Sequence, residues 1–490
     1  MSIKEKNPSR VGERQRAEVD KFYITSPIYY VNDKPHIGHA YTSIVADVLA
    51  RYHKSIGEEV FFNTGIDEHG AKIAESAKKA GKTPEEFCDS LVPLFQKTWS
   101  NLNIKYDYFI RTTNKDHEKF VSEFVTKIKE KGFIYKKKYK GLYCVGDEKF
   151  LSKSELVDGK CPYHPNLKLV EQEEENWFFK LSEFQKPLLE AIEKGKYQIL
   201  PETRKNEIVS KIKAGLEDIS ISRQEVKWGI PVPWDKTQTI YVWVDALLNY
   251  MSTLKINKKE DFWPANLHLM AKDILWFHAV IWPAMLMAVG EKLPKKIFAH
   301  GFFTINGQKM SKTIGNVIDP NDWVKKYGAD AVRYYLLTAF PFGEDGDVSE
   351  AKLQEKYNSD LANDLGNLVN RVVTMIDRYF PGDARFIAPR QTKVCRSERI
   401  DKLIEEFKFD EAVKEIWKEV RRLNQAIEEN KPWELAKSDP KKLEKFLQDL
   451  TLALQVISYT LQVFLPETSE KIKDQLKTLK PEPLFPKIKE

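Results

Sequence analysis

The chain has 490 residues, 42% of them hydrophobic and 31% charged, with 78 lysines and arginines against 72 acids for a net charge of +6. That length exceeds one hydrophobic core and predicts about three units. No apolar run approaches the ~20 residues of a membrane helix, and the small basic excess permits a polyanionic partner without requiring one. Four cysteines, Cys88, Cys144, Cys161 and Cys395, point to a reducing compartment and not to a disulfide framework.

Residues 1–20 are polar, mixed in charge and without the hydrophobic stretch of a signal peptide, so they read as a flexible arm of a cytoplasmic protein. Phe22-Tyr23-Ile24-Thr25 then predicts a short buried strand. A loop follows, with Pro27 and the turn residues Asn32-Asp33-Lys34-Pro35. His36-Ile37-Gly38-His39 opens a helical pattern in which Ala40, Tyr41, Ile44, Val45, Val48, Leu49 and Tyr52 share one face. Strand, loop and helix start are the geometry of an anion site, where free N–H groups and the positive end of the helix dipole face a phosphate. Histidines at a helix start are equally capping residues, and this stretch alone leaves both readings open.

Val60-Phe61-Phe62-Asn63 reads as the next strand, ending in the polar run Thr64-Gly65-Ile66-Asp67-Glu68-His69-Gly70. Polar residues at the carboxyl end of a parallel strand are placed to meet a ligand. Helical patterns fill residues 71–80 and 84–101. From about 115 to 225 the character changes to a helix at 116–131, a lysine cluster from Lys136 and short alternating strands, an insertion within the sheet. Inside it, Cys144-x-x-Asp147 and Cys161-x-x-His164 are spaced as two half-knuckles of a metal site. The lysine cluster reads as a solvated edge. Sheet character returns at Gln238–Asp245, Leu267–Met270 and Lys296–His300, the βαβ rhythm of a doubly wound sheet.

Asn306-Gly307-Gln308-Lys309-Met310-Ser311-Lys312-Thr313 is a polar, glycine-flanked, basic loop. By itself it is a solvated turn or a mobile clamp on polyphosphate. From about 351 the periodicity is helical throughout, at 351–380, 397–407, 410–429, 440–463 and 466–478, which predicts a bundle. The fold class is therefore α/β: a doubly wound parallel (Rossmann-like) sheet split by an α+β insertion, followed by a C-terminal α-helical bundle.

The two short motifs together resemble those of class I aminoacyl-tRNA synthetases. His36-Ile37-Gly38-His39 matches the HIGH signature and Lys309-Met310-Ser311-Lys312-Thr313 the KMSKS signature, with Thr in the last place. The segments Thr25–Asp33, Asp67–Gly70, Trp228–Pro233, Val242–Leu247 and Lys272–Ile274 resemble the methionyl branch of that family. The resemblance covers nearly all of the chain after residue 20. It implies a ligase that activates L-methionine with ATP and Mg2+ and transfers it to tRNA(Met). His36 and His39 with Lys309 and Lys312 are the implied catalytic residues, and Gly38, Asp273, Met310 and Ser311 complete the implied ATP site. Asp67 would hold the substrate ammonium. Ile28, Tyr30, Trp243, Ala246, Tyr250, Ile274, Phe277 and His278 would line the side-chain pocket, a lining suited to a thioether. Asn367, Arg371 and Trp433 would read the anticodon by hydrogen bonds and stacking. Cys144, Asp147, Cys161 and His164 would form either a zinc knuckle, with Asp147 where a thiolate is common, or the family's zinc-free degenerate knuckle held by hydrogen bonds and packing. Ala271 replaces the family's usual glycine.

The implied organisation is an arm (1–20), a first sheet half (21–114), a connective insertion (115–230), a second sheet half (231–302), a KMSKS and stem-contact region (303–360) and an anticodon-binding bundle (361–490). No dimerisation segment is visible after the bundle, so a monomer without membrane partners is expected. The insertion is too short for the editing domain of leucyl, isoleucyl and valyl relatives. Intact motif residues disfavour a non-catalytic tRNA-binding paralogue, and the helical end disfavours a small nucleotidyltransferase.

Overall fold

The computed structural model describes residues 19–488, except 147–148, 152–155, 163, 311–314 and 388–394. Apart from Val19 and Asp20, the expected arm lies outside the described residues. The β-branched and aromatic residues after Lys21 build the inner strand of a six-stranded sheet. Its strands are β1 (Lys21–Tyr30), β2 (Glu59–Asp67), β3 (Tyr108–Arg111), β4 (Gln198–Leu200), β5 (Leu267–Ala271) and β6 (Lys296–His300). They lie in the order β3-β2-β1-β5-β6-β4 and every pairing is parallel. Tyr23, Ile24, Phe62, Met270 and Ile297 are fully buried, as strands covered on both faces require. The chain runs outward from β1 to β3 and later returns on the other side at β5. That reversal leaves a crevice beyond the carboxyl ends of β1 and β5.

The helices that matter here are α1 (Ile37–Ser55), α2 (Lys115–Glu130), α3 (Val242–Ile256), α4 (Ala329–Thr338), α5 (Asn367–Tyr379), α6 (Phe409–Asn430), α7 (Pro440–Leu461) and α8 (Pro466–Thr478). Helix α1 buries the predicted face, Ala40, Tyr41, Ile44, Val45, Val48, Leu49 and Tyr52, in one core with the helical end of the chain. Helices α5 to α8 form the C-terminal bundle, joined to α4 through Glu350–Lys356 and a π-helical stretch, Tyr357–Gly366.

Three expectations change. Strand β1 does not stop at Thr25 before a loop but runs to Tyr30, with a register shift between Thr25 and Ile28 that accommodates Pro27. The run Gln238–Asp245 is not one sheet strand: a strand ends at Ile240 and α3 begins at Val242. A helix buried on nearly every side is continuously apolar, and a short apolar run does not distinguish it from a buried strand. The span 115–230 is not wholly outside the sheet, because β4 pairs with β6 and α2 packs on α3. What projects is a four-stranded antiparallel sheet that includes Ile134–Cys144 and Val170–Phe179. Its Lys136 lies 3.3 Å from both Glu175 of its own sheet and Asp235 of a neighbouring strand.

Candidate active site at the strand ends

The start of α1 is held by its own histidines. His36 is the N-cap, and its Nδ1 accepts the Gly38 N–H at 3.1 Å. His39 Nδ1 accepts the His36 N–H at 3.3 Å, closing a capping box, and the two rings stack with centroids 3.7 Å apart. With both Nδ1 atoms accepting, each neutral imidazole carries its proton on Nε2. Capping and anion binding are thus not alternatives: one nitrogen caps, and the other is a donor at the positive end of a 19-residue helix. A Cβ on Gly38 would lie 3.1 Å from the His36 ring and 3.5 Å from Met310 Cε, so the two motif segments meet at this glycine. The Ile37 N–H also donates to the Ile318 carbonyl at 3.0 Å. Lys309 ends a hairpin with Phe303–Ile305, turned by Asn306 and Gly307 at φ 52° and 76°. Ser311 and Lys312 lie outside the described residues.

Across β1 and β2, Tyr30 is in register with Asp67, which is 8% exposed, and Ile28 with Gly65. On the β5 side, the Trp243 and Phe277 rings stack at 3.9 Å and 7°. Tyr30, Trp243, Ile274 and Phe277 are half-buried against one core that includes Tyr250, and Ala246 and His278 are buried. His278 Nδ1–H donates to the Ile274 carbonyl at 2.9 Å, so its Nε2 accepts the Tyr250 hydroxyl at 2.7 Å. Burial pushes the His278 pKa down to about 4, against the opposing carbonyl contact, and keeps the ring neutral. Asp273 is exposed on the 3-10 turn that follows β5. Ala271 has φ −80° and ψ 156°, ordinary extended backbone, so the missing glycine demands no special angle.

Sequence reasoning missed the polar groups behind this surface. Asp245 is buried and bridges two histidines, accepting from His69 Nδ1 and His117 Nε2 at 2.7 Å each, while His117 Nδ1 meets Ser252 Oγ at 2.7 Å. Burial alone would lower the His69 pKa, but the Asp245 carboxylate outweighs it and raises the pKa above the usual value. Next in sequence, buried Glu68 receives Arg111 at 2.8 Å and the Thr113 hydroxyl. The segment after Asp67 is therefore clamped on two sides. The available signal was Asp245 inside an apolar run: a buried carboxylate needs partners.

In the insertion, Cys144 Sγ, Cys161 Sγ and His164 Nδ1 lie within 4.8 Å of one another. Each sulfur is 3.8 or 3.9 Å from the imidazole nitrogen. Tetrahedral zinc with bonds of about 2.1–2.3 Å spaces its ligands by nearly this much, so the three donors fit the ion. A Cβ on Gly146 would fall 2.4 Å from the His164 ring, so glycine is what admits the imidazole. Asp147 lies outside the described residues. Lys72 donates to the Gly146 carbonyl and ties this element to the helix that follows Asp67.

In the bundle, Asn367 and Arg371 share one face of α5 and line a cleft of about 310 Å³ with Arg421, Asn424, Gln425 and Glu428 of α6. Arg371 pairs with Glu428 at 2.7 Å. Trp433 is 44% exposed at the start of the helix Pro432–Ser438 and is not among the residues lining that cleft.

Known proteins share this architecture. The family model described as tRNA synthetases class I (M) matches residues 22–169 and 166–373. A methionine–tRNA ligase of Thermotoga maritima is 46% identical over 92% of this chain and 74% of its own length. One from Caldanaerobacter subterraneus is 45% identical over 93% and 74%. The solved structure of Mycobacterium tuberculosis methionyl-tRNA synthetase in complex with methionyl-adenylate superposes with a TM-score of 0.87 at 34% identity, covering 96% of this chain and 100% of that one. The chain belongs to the methionyl-tRNA synthetases, a family of class I tRNA synthetases.

Proposed function

We propose that the crevice beyond β1 and β5 is where this chain performs the methionine–tRNA ligase reaction. The chain activates L-methionine with ATP to methionyl-adenylate, releasing pyrophosphate, and passes the methionyl group to the 3′ end of tRNA. The observation that carries the siting is the meeting of the α1 start, Asp67 and the Tyr250–His278 pair at one reversal of strand order.

In this reading the Asp67 carboxylate receives the substrate ammonium. The half-buried Ile28, Tyr30, Trp243, Ile274 and Phe277, backed by the buried Ala246, Tyr250 and His278, enclose the thioether, a polarizable group suited to aromatic edges. The methionine carboxylate attacks the α-phosphate of ATP in line, and pyrophosphate leaves. Negative charge grows on the α-phosphate oxygens. The Nε2–H donors of His36 and His39 and the α1 dipole stabilise that charge, while Gly38 allows the close approach. Asp273 holds the nucleotide ribose. Lys309, Met310, Ser311 and Lys312 would bind the leaving phosphates, and Mg2+ bound with ATP would neutralise part of their charge. No side chain acts as nucleophile: positioning and fixed charges supply the rate. In the second step a terminal ribose hydroxyl of tRNA(Met) attacks the activated carbonyl and AMP leaves. Asn367, Arg371 and Trp433 receive the anticodon.

The expected division of the chain stays part of this proposal, with the insertion supplying β4 to the sheet. Zinc held by Cys144, Cys161, His164 and Asp147 would fix the knuckle and take no part in the reaction; metal analysis of protein purified without added zinc checks it, and a metal-free protein sinks it. A cytoplasmic monomer completes the proposal, tested by light scattering. No helix among the described residues is long and apolar enough to cross a membrane. The decisive experiment is ATP–pyrophosphate exchange across a panel of amino acids. Methionine is expected to drive exchange best, and a better response to any other amino acid overturns the assignment.

A further inference from the structure

Asp47 lies two turns beyond His39 in α1 and is fully buried, as is Arg333 of α4. Their ion pair, Nη2 to Oδ2 at 2.7 Å, is one contact of a larger joint. Arg51 Nε donates to the same carboxylate oxygen at 2.7 Å, and the Lys105 N–H donates to the other at 2.9 Å. Arg333 also donates from Nε to the Phe464 carbonyl at 2.8 Å, from Nη1 to the Leu102 carbonyl at 3.2 Å and from Nη2 to the Val463 carbonyl at 3.5 Å. Val463 and Phe464 link α7 to α8, on which α5 packs. One turn earlier on α4, buried Asp330 accepts the Thr468 N–H of the first turn of α8 at 2.6 Å. A single guanidinium thus bonds at once to α1, to the segment after Asn101 and to the helical bundle.

A fully buried ion pair is a poor source of net stability, because desolvating both charges offsets most of their attraction. What a planar five-donor fork does supply is angle and register. The elements it fixes are informative: α1 carries His36 and His39, and the bundle carries Asn367 and Arg371. These are opposite ends of the surface a tRNA must span.

We propose that Arg333, held by Asp47, is a positioning residue for the tRNA-dependent half of the reaction. It sets the register between the reaction site and the bundle so that acceptor and anticodon ends are engaged together. The inference rests on the reading of the chain as a methionine–tRNA ligase. Adenylate formation needs only the sheet end, so a loosened joint leaves it intact and penalises the step that spans both regions.

The test uses Arg333→Lys, which keeps the charge but loses the fork, and Asp330→Asn, which spares the Asp47 pair but weakens the grip on α8. For each variant, ATP–pyrophosphate exchange is measured beside charging of full-length tRNA(Met) and of a short acceptor hairpin without an anticodon. Exchange and hairpin charging are expected to stay within about twofold of the parent. Full-length charging (kcat/KM) is expected to fall about tenfold for Arg333→Lys and less for Asp330→Asn, the range for coupling through a packed network. Equal losses in all three assays mean that the joint serves folding alone and overturn the proposal, as does unchanged full-length charging. If Arg333→Lys does not fold, Asp330→Asn decides by the same pattern. Failure of the parent protein to charge tRNA with methionine would instead sink the reading beneath it.

Discussion

The crevice at the strand ends and the cleft in the bundle are built on opposite plans. In the crevice, polar groups are buried and already paired: Tyr250 with His278, and Asp245 with His69 and His117. In the cleft, Asn367, Arg421, Gln425 and Glu428 are exposed, and the charges neutralise one another in direct surface pairs, Arg371 with Glu428 at 2.7 Å and Arg421 with Asp364 at 2.8 Å. The difference fits the ligands proposed for the two regions. A small substrate reacts only if its atoms are oriented in advance, so the groups around it are locked by partners. A nucleic-acid strand must be let in, and solvent-exposed ion pairs worth about 0–1 kcal/mol can be exchanged for new contacts at little cost. One region spends stability on order; the other stays exchangeable.

The largest expected effect falls on the ordered side. His39→Ala removes a capping acceptor and a charge-stabilising donor together, and ATP–pyrophosphate exchange should drop by about 10²–10³ in kcat. A loss below tenfold would place the phosphate elsewhere and break the contrast. Next comes Trp433→Ala in the bundle. Stacking on an unpaired base is worth about 1–3 kcal/mol, so charging of tRNA should fall roughly 5- to 100-fold with exchange untouched. Equal losses in both assays would count against an anticodon role for the indole.

The smallest effect is in stability against pH, and it separates the two regions without a ligand. All nine histidines lie at or before His300, none in the bundle. Burial lowers the pKa of four of them: His53 to about 3, His278 and His300 to about 4, and His268 well below its ordinary value. Each contributes stability that is complete above the unfolded value near 6.5 and is lost as pH falls toward the folded value, at most about 1.4 kcal/mol per pH unit per group. His69 is raised by Asp245, so its contribution is present below about 6.5 and is lost as pH rises through the higher folded value. Four against one gives a urea midpoint for the sheet region that falls between pH 6.5 and 5, and His278→Asn should flatten that slope. A midpoint that rises on acidification would refute the neutral assignments.

Much of the candidate site's geometry was legible because its signals are local. His36 to His39, the aromatic residues after Lys21 and the polar end of β2 each occupy a few consecutive residues, and their order fits one nucleotide-binding sheet. The supporting groups are not local. Asp245, His69 and His117 meet only once the sheet has brought α2, α3 and the end of β2 together, and no spacing announces such a contact. The start of α3 was misjudged for a related reason. Surrounded by core, Val242–Leu248 carries neither helical nor strand periodicity. The Arg333 joint shares that fate, since its partners come from segments some hundreds of residues apart.

Trp433 carries one more consequence. Of the eleven tryptophans it is the exposed one, the others being buried or half-buried. A water-soluble quencher therefore reaches it first, and its emission sits at the red edge of the protein's fluorescence. The chain holds its own optical reporter at the bundle, and the proposed stacking of RNA on that indole is expected to show as shielding of its emission from iodide.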